Sequence, residues 1–461
     1  MNIGQLRKQA KELVRAARAG DPQALERLGG REPILARAQL VLAREHGYSS
    51  WPAIVARLEA TADAFVDAAT SNRRGRAERM LAARPEIEVD PWARLVLGRG
   101  WDGDPVEPGG PRNWPPLLYV CHSCFASAEL ARDLLERGAD ADVTFRNEYG
   151  DMSALYGAAG VVHDPELTRV LLQAGANPDD NESLYHSVET EGTDCLRILL
   201  EHGATVDGTN ALPHALDYDR LEHVRLLLEA GADANEGAYV AHAVRRGRGP
   251  EFLRLLAEHG ADVDRPGGET WRGNVPLRTP YQHAVIRGQV DQVETLADIG
   301  ADTSVAPDDR ALAAIARGER PETPLPPELD PDAQEVVILA ALNGHVDAVL
   351  DAVGPNFRGV VGGSPEGPLL GHAAWVGDAE LVRRLLAAGA EPGRRADARF
   401  DTPLAIAALG SAAPIDEPYP VRERDYVAVA EQLVAAGNEI EARFLDVADG
   451  PLYDWLEERI G

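Results

Sequence analysis

Leu227-Leu228-Glu229-Ala230-Gly231-Ala232-Asp233 is an apolar helical stretch that runs into glycine, and it has relatives along the chain. Leu134-Leu135-Glu136-Arg137-Gly138-Ala139-Asp140 and Leu171-Leu172-Gln173-Ala174-Gly175-Ala176-Asn177 repeat it. The same ending falls at Gly203, Gly260, Gly300, Gly389 and, degenerately, Gly437. A glycine after a run of helical leucines supplies the left-handed residue that closes a helix. Self-similarity at a period of a few tens of residues predicts stacked repeats rather than one central core.

A second signal lies upstream. Thr279-Pro280-Tyr281-Gln282-His283-Ala284 precedes Gly300, and Thr402-Pro403-Leu404-Ala405-Ile406-Ala407 opens another unit. Threonine caps a helix N-terminus, and proline fits the first helical position because its missing N–H would be unpaired there. Each unit therefore reads as a short helix, a turn and a second helix ending at the glycine.

These residues resemble the ankyrin repeat, with its T-P-L-H-x-A opening and L-L-x-x-G-A-D close. The resemblance implies an all-α ankyrin-repeat solenoid of helix-turn-helix units with short β-turn fingers, preceded by a small helical N-terminal module. The expected division is 1–60 for that module, 61–440 for the array and 441–461 for a C-terminal half-repeat or cap. The closing glycines are unevenly spaced. Helices cannot shrink much, so the variation falls in connections, at insertions 98–113, 263–278, 304–333 and 411–424. Residues 91–113 read either as a truncated unit or as a loop. Segment 304–369 reads as irregular, Pro-rich from Pro321 to Pro331, with one shortened unit around Ala340-Ala341-Leu342-Asn343-Gly344-His345.

The N-terminal stretch has its own helical faces: Leu6, Ala10, Leu13, Val14 and Ala17, then Ile34, Ala38, Val41 and Leu42, then Trp51, Ile54, Val55 and Leu58. Ala38 to Tyr48 with Ser50-Trp51-Pro52 resembles a helical module found ahead of ankyrin arrays in bacterial proteins. Its reading is a cap on the apolar end of the array or a docking element, with Trp51 as a packing anchor.

The 461 residues carry 75 Asp and Glu against 46 Lys and Arg, a formal charge of −29. Residues 1–60 hold ten basic against six acidic side chains, which leaves −33 on the rest. So acidic a body repels phosphate backbones and anionic lipid, and the expectation is no nucleic acid and no membrane. Nucleic-acid association through residues 1–60 is the minor alternative. Three cysteines do not make a disulfide framework. No apolar leader or 18-residue apolar run occurs, so cytoplasm is the expected compartment. Two lysines against many arginines suggest a G+C-rich bacterial genome. The expected state is a monomer.

Catalytic patterns fail on inspection. Cys121-His122-Ser123-Cys124 lacks the βαβ context of a redox motif and a second ligand pair for zinc. The two cysteines are expected one turn apart inside a first helix. Gly359 to Gly367 is no nucleophile elbow, because Glu366 takes the last glycine position. His214, His242, His283 and His372 recur inside first helices, which points to architecture. Asp140-Ala141-Asp142 lacks the remaining ligands of a calcium loop. No catalytic residue, cofactor or metal is expected. The alternative is an enzyme or a small-molecule or metal-binding protein with a pocket near Cys121 and Cys124.

The expected function is a non-catalytic scaffold that binds a protein partner through its concave face and fingers. Aromatic and arginine residues dominate interface hot spots. On the fingers these are Phe145, Arg146 and Tyr149; Trp271 and Arg272; and Arg394, Arg395, Arg399 and Phe400. The competing role for each aromatic is to pin its own finger. Trp375, inside a first helix, reads as core.

Overall fold

The computed structural model describes residues 3–30, 33–49, 51–268, 277–362, 366–393, 402–413, 419, 423–441, 443–444 and 447–460. Two compact units divide the chain, residues 1–232 and 233–461.

In the first unit, helices Ile3–Arg18, Pro22–Arg27, Leu35–Glu45 and Trp51–Glu59 form a small bundle. Leu6, Ala10, Leu13, Val14 and Ala17 are buried, as their spacing requires, and Trp51 packs against the core they share with Ala38, Leu42 and Ile54. Helix pairs follow, beginning with Ala62–Thr70 and Arg74–Ala83. Next come Pro116–Cys121 with Ala128–Glu136, and Ala154–Tyr156 with Pro165–Gln173. Ser183–His186 with Asp194–Glu201 and Ala211–Asp217 with Leu221–Glu229 complete this unit. Each first helix packs on its own second helix; from Pro116–Cys121 to Ala211–Asp217 successive first helices also meet, and Ala62–Thr70 packs on Pro91–Val96. Leu134, Leu167, Leu171, Leu196, Leu199 and Leu227 are fully buried between them.

Residues 91–113 combine the two expected forms. Pro91–Val96 is a six-residue helix capped by Asp90, and the chain then loops back to bridge Gly109 to Trp114.

The second unit continues the pattern with Tyr239–Arg245 and Pro250–Glu258, then Pro280–Ile286 and Val290–Asp298. Later pairs are Pro331–Leu342 with Val346–Val353, Leu369–Trp375 with Ala379–Ala387, and Pro403–Ala412 with Tyr426–Ala435. Gly450–Ile460 packs on the last pair. The segment expected to be irregular holds more helix than its prolines suggest. Pro307–Ala316 is a helix, and Pro331 opens the longest first helix of the unit, with Gly344 turning into its partner. Both prolines sit at the first helical position, where they help.

All eight closing glycines take positive φ, from +85° at Gly260 to +104° at Gly437. Acidic and amide side chains just after them have a structural role. Asp140 accepts from the N–H of Asp142 (3.0 Å), closing its own turn. Asp142 accepts from the N–H of Asn177 one repeat on (2.6 Å). Asp179 does the same for Thr205, and in the second unit Asn235 for Asp262 and Asp264 for Asp302, each at 2.7 Å. The Asp-x-Asp phrase latches one turn to the next by satisfying backbone donors.

Thr279 caps its helix with a full capping box: its hydroxyl accepts from Gln282 N–H, and the Gln282 side chain accepts from Thr279 N–H. Thr402 accepts from Ala405 N–H. Thr279→Ala should destabilise the second unit by about 1 kcal/mol. The check is a urea melt, with Thr279→Ser as a near-neutral control. No described helix is long and apolar enough to cross a membrane.

Candidate functional site

The finger of residues 143–153 is a small antiparallel hairpin. Thr144–Arg146 pairs with Asp151–Ser153, placing Phe145 opposite Met152. The Asn147 side chain accepts from the N–H groups of Tyr149 (2.8 Å) and Gly150 (3.1 Å), and Gly150 takes φ +144°. This turn pushes Tyr149 out to 82% exposure. Arg146 is 78% exposed at its side chain and meets Asp151 at 3.4 Å. Phe145 points the other way and stacks on Trp114, with centroids 4.1 Å apart. Of the three expected finger residues, one pins the finger and two stand free of the body. Trp271, Arg272, Arg394, Arg395, Arg399 and Phe400 lie outside the described residues. Trp375 is half-buried against the core of the second unit.

Phe145 belongs to a longer arrangement. Trp101 touches Trp92, Trp92 touches Tyr119, and Tyr119 touches Trp114. From Trp114 and Phe145 the contacts pass to His122, then Tyr156, His186, Tyr185, His214 and Tyr218. Most of these rings are half-buried, and together they pave the first helices of the first unit. The sequence reading missed this ladder because its linking contacts, such as Tyr156 to His186 and Tyr185 to His214, run across repeats.

Its far end holds a polar cluster. The Glu189 carboxylate accepts from His186 Nδ1 (2.7 Å) and His214 Nε2 (3.0 Å) through one oxygen. His186 Nε2 lies 3.2 Å from Glu182 Oε2. Burial opposes the Glu189 charge, but hydrogen bonds from the two imidazoles outweigh it and pull the carboxyl down to about 2. Burial also opposes a charge on His186, yet Glu189 and Glu182 raise its imidazole above the ordinary value. A signal for this cluster was present in the sequence. His186 to His214 is 28 residues, the same step as Gly175 to Gly203, so the two histidines occupy equivalent places in neighbouring repeats.

Other histidines of the first helices have architectural roles. His122 donates to Ser153 O, His283 to Gly267 O and His372 to Gly359 O, at 2.8 to 3.1 Å, tying helices to fingers. The cysteines differ from expectation in one respect. The helix ends at Cys121, so Cys124 lies beyond it, where its N–H donates to Ala69 O. Burial raises both thiols, and neither is primed as a thiolate.

Residues 155–238 match the family model described as ankyrin repeats (3 copies). No curated protein matches the chain. Among solved structures, the ankyrin repeat domain of Bcl-3, a unique member of the IκB family, is 26% identical. That match covers 38% of this chain and 82% of the other, with a TM-score of 0.31. The human ASB11 ankyrin repeat domain is 18% identical over 52% of this chain and 99% of that one, with a TM-score of 0.35. An ankyrin repeat domain from Acinetobacter baumannii AYE is 24% identical over 38% and 93%, with a TM-score of 0.33. Ankyrin repeats are generally protein–protein interaction modules. The helix pairs, their left-handed closing glycines and the family match agree: this is an all-α protein that contains ankyrin repeats.

Proposed function

We propose that the chain is a non-catalytic scaffold that binds a protein partner through its fingers and the concave face of its first helices. The observation that carries this reading is Tyr149, a large aromatic held in the open by a well-formed turn. A tyrosine at 82% exposure buries little of its surface in the fold, whereas buried in an interface it is a typical anchor. Arg146 beside it and the half-buried rings of the first helices extend the surface. The remaining candidates, Trp271, Arg272, Arg394, Arg395, Arg399 and Phe400, are proposed on their residue type and their place between helices. We read the chain as a monomer that works in the cytoplasm, its acidity turning nucleic acid away.

A photo-crosslinking amino acid at position 149, introduced in the native host, tests the reading. The expected product is a discrete cross-linked protein. Tyr149→Ala should weaken the affinity for that protein at least tenfold while leaving the melting curve unchanged. An unchanged affinity, or cross-links only to unrelated abundant proteins, would remove the finger from the binding surface.

A further inference from the structure

We infer that His186, Glu189 and His214 form a binding site for a divalent transition metal of the zinc class, set between two neighbouring repeats. The inference is independent of the proposed protein partner. The ligand atoms, one from each side chain, all lie within 4.8 Å of one another. Two ligands held about 2.0–2.2 Å from one tetrahedral ion stand roughly 3.3–3.6 Å apart. The Glu189 oxygen lies 2.7 Å from one imidazole nitrogen and 3.0 Å from the other, so opening the cluster around an ion takes sub-ångström to ångström movements.

Three further features fit a metal site. Two imidazoles and a carboxylate are a donor set suited to zinc and its neighbours. His186 would bind through Nδ1 while its Nε2–H donates to Glu182, the outer carboxylate that orients a ligating histidine. The His214 ring is stacked on Tyr185 at 3.8 Å and 13°, which fixes its plane. All three ligands are half-buried, so the ion could enter from solvent. Three protein ligands leave a fourth position to water, as in open zinc sites. Glu189 and His186 come from one repeat and His214 from the next, so the ion would clamp the two together. Among the described residues this is the one cluster of histidine, cysteine and carboxylate side chains with such geometry.

The test is titration of the full, chelator-stripped chain with Zn²⁺ alone, read by calorimetry. The expected result is one equivalent bound with micromolar or tighter affinity. Loss of that equivalent is expected in the His186→Ala/His214→Ala double variant. Glu182→Gln should weaken binding about tenfold or more, and Cys124→Ser should leave it unchanged. Zn²⁺ affinity equal in the unsubstituted chain and the double variant would overturn the site. Should the double variant misfold, Co²⁺ on the unsubstituted chain decides. Visible bands of tetrahedral cobalt without a thiolate charge-transfer band support the assignment. A thiolate band, or no uptake, overturns it.

Discussion

Replacing Arg278 with methionine is expected to cost the second unit about 3–5 kcal/mol, because three carboxylates lose the cation they are built around. Arg278 lies just ahead of Pro280–Ile286, bridged to Gly267. Its side chain is buried, with Nε 3.0 Å from Asp309 and a two-pronged contact to Asp330 at 3.0 and 3.3 Å. Asp309 sits in the first turn of Pro307–Ala316, and Asp330 caps Pro331–Leu342 by accepting from Asp332 and Ala333 N–H groups. One guanidinium thus joins a finger to two helix starts. Asp332, fully buried, has no hydrogen-bond partner for either oxygen among the described residues. Arg287 at 3.8 Å and Arg278 at 3.9 Å face it as ion partners. Burial raises the Asp332 carboxyl, so it is the group most exposed to losing its cations. An exposed pair such as Arg317 and Glu319 is screened by solvent and adds little to stability, so Arg317→Met serves as the control. Hydrogen exchange across Pro307–Ala316 and Pro331–Leu342 should speed by roughly two to four orders of magnitude in Arg278→Met and hardly at all in Arg317→Met. Adding Asp309→Asn to Arg278→Met should restore part of the loss. Equal exchange in the two single variants would mean the buried network contributes no more than a surface pair.

That network also shows where sequence reading stops. The closing glycines were legible because a left-handed residue after an apolar helix has few substitutes, and all eight take positive φ. Thr279 and Thr402 were legible for the same local reason. Arg278 finds its partners 31 and 52 residues away, and nothing in its neighbourhood announces them. Segment 304–369 reads as irregular until the helices that start at Pro307 and Pro331 are seen. Asp140 and Asp142 were recognised as unfit for calcium, but their turn-to-turn latch depends on the stacking itself. On the finger, residue type picked out Phe145, Arg146 and Tyr149 together. Only the strand register separates Phe145, turned in on Trp114, from its two exposed neighbours. In the His186–Glu189–His214 cluster, His186 and Glu189 are neighbours in sequence and the 28-residue step points to His214, but only the stacking of repeats brings that third ring to the carboxylate.

Acid should loosen the repeats well above the range in which ordinary carboxylates protonate. His122 and His372 are fully buried and neutral, and burial lowers each imidazole to about 4, against an unfolded value near 6.5. His283 is also lowered well below the ordinary value, by burial and then by the neighbouring Arg287. Between about pH 6.5 and pH 4 the unfolded chain takes up these protons and the folded chain does not. Stability is therefore full above pH 6.5 and lost as the pH falls towards 4, by roughly 3 kcal/mol for each of the first two. His186 works in the opposite sense, because its folded value is raised; part-exposed and screened, it recovers only a fraction. Protonating His372 would place a charge in a buried site where Nε2 donates to Gly359 O and Nδ1 meets the Tyr419 hydroxyl at 2.9 Å. Stacked repeats unfold piecemeal, so the readout must be local. Hydrogen exchange of Leu369–Trp375 should accelerate, relative to the intrinsic rate, as the pH drops from 6.5 to 4.5. In His372→Gln, whose amide can still donate to Gly359 O but cannot take up a proton, most of that acceleration should vanish. The same slope in both proteins would place the acid sensitivity of this repeat on its carboxylates instead.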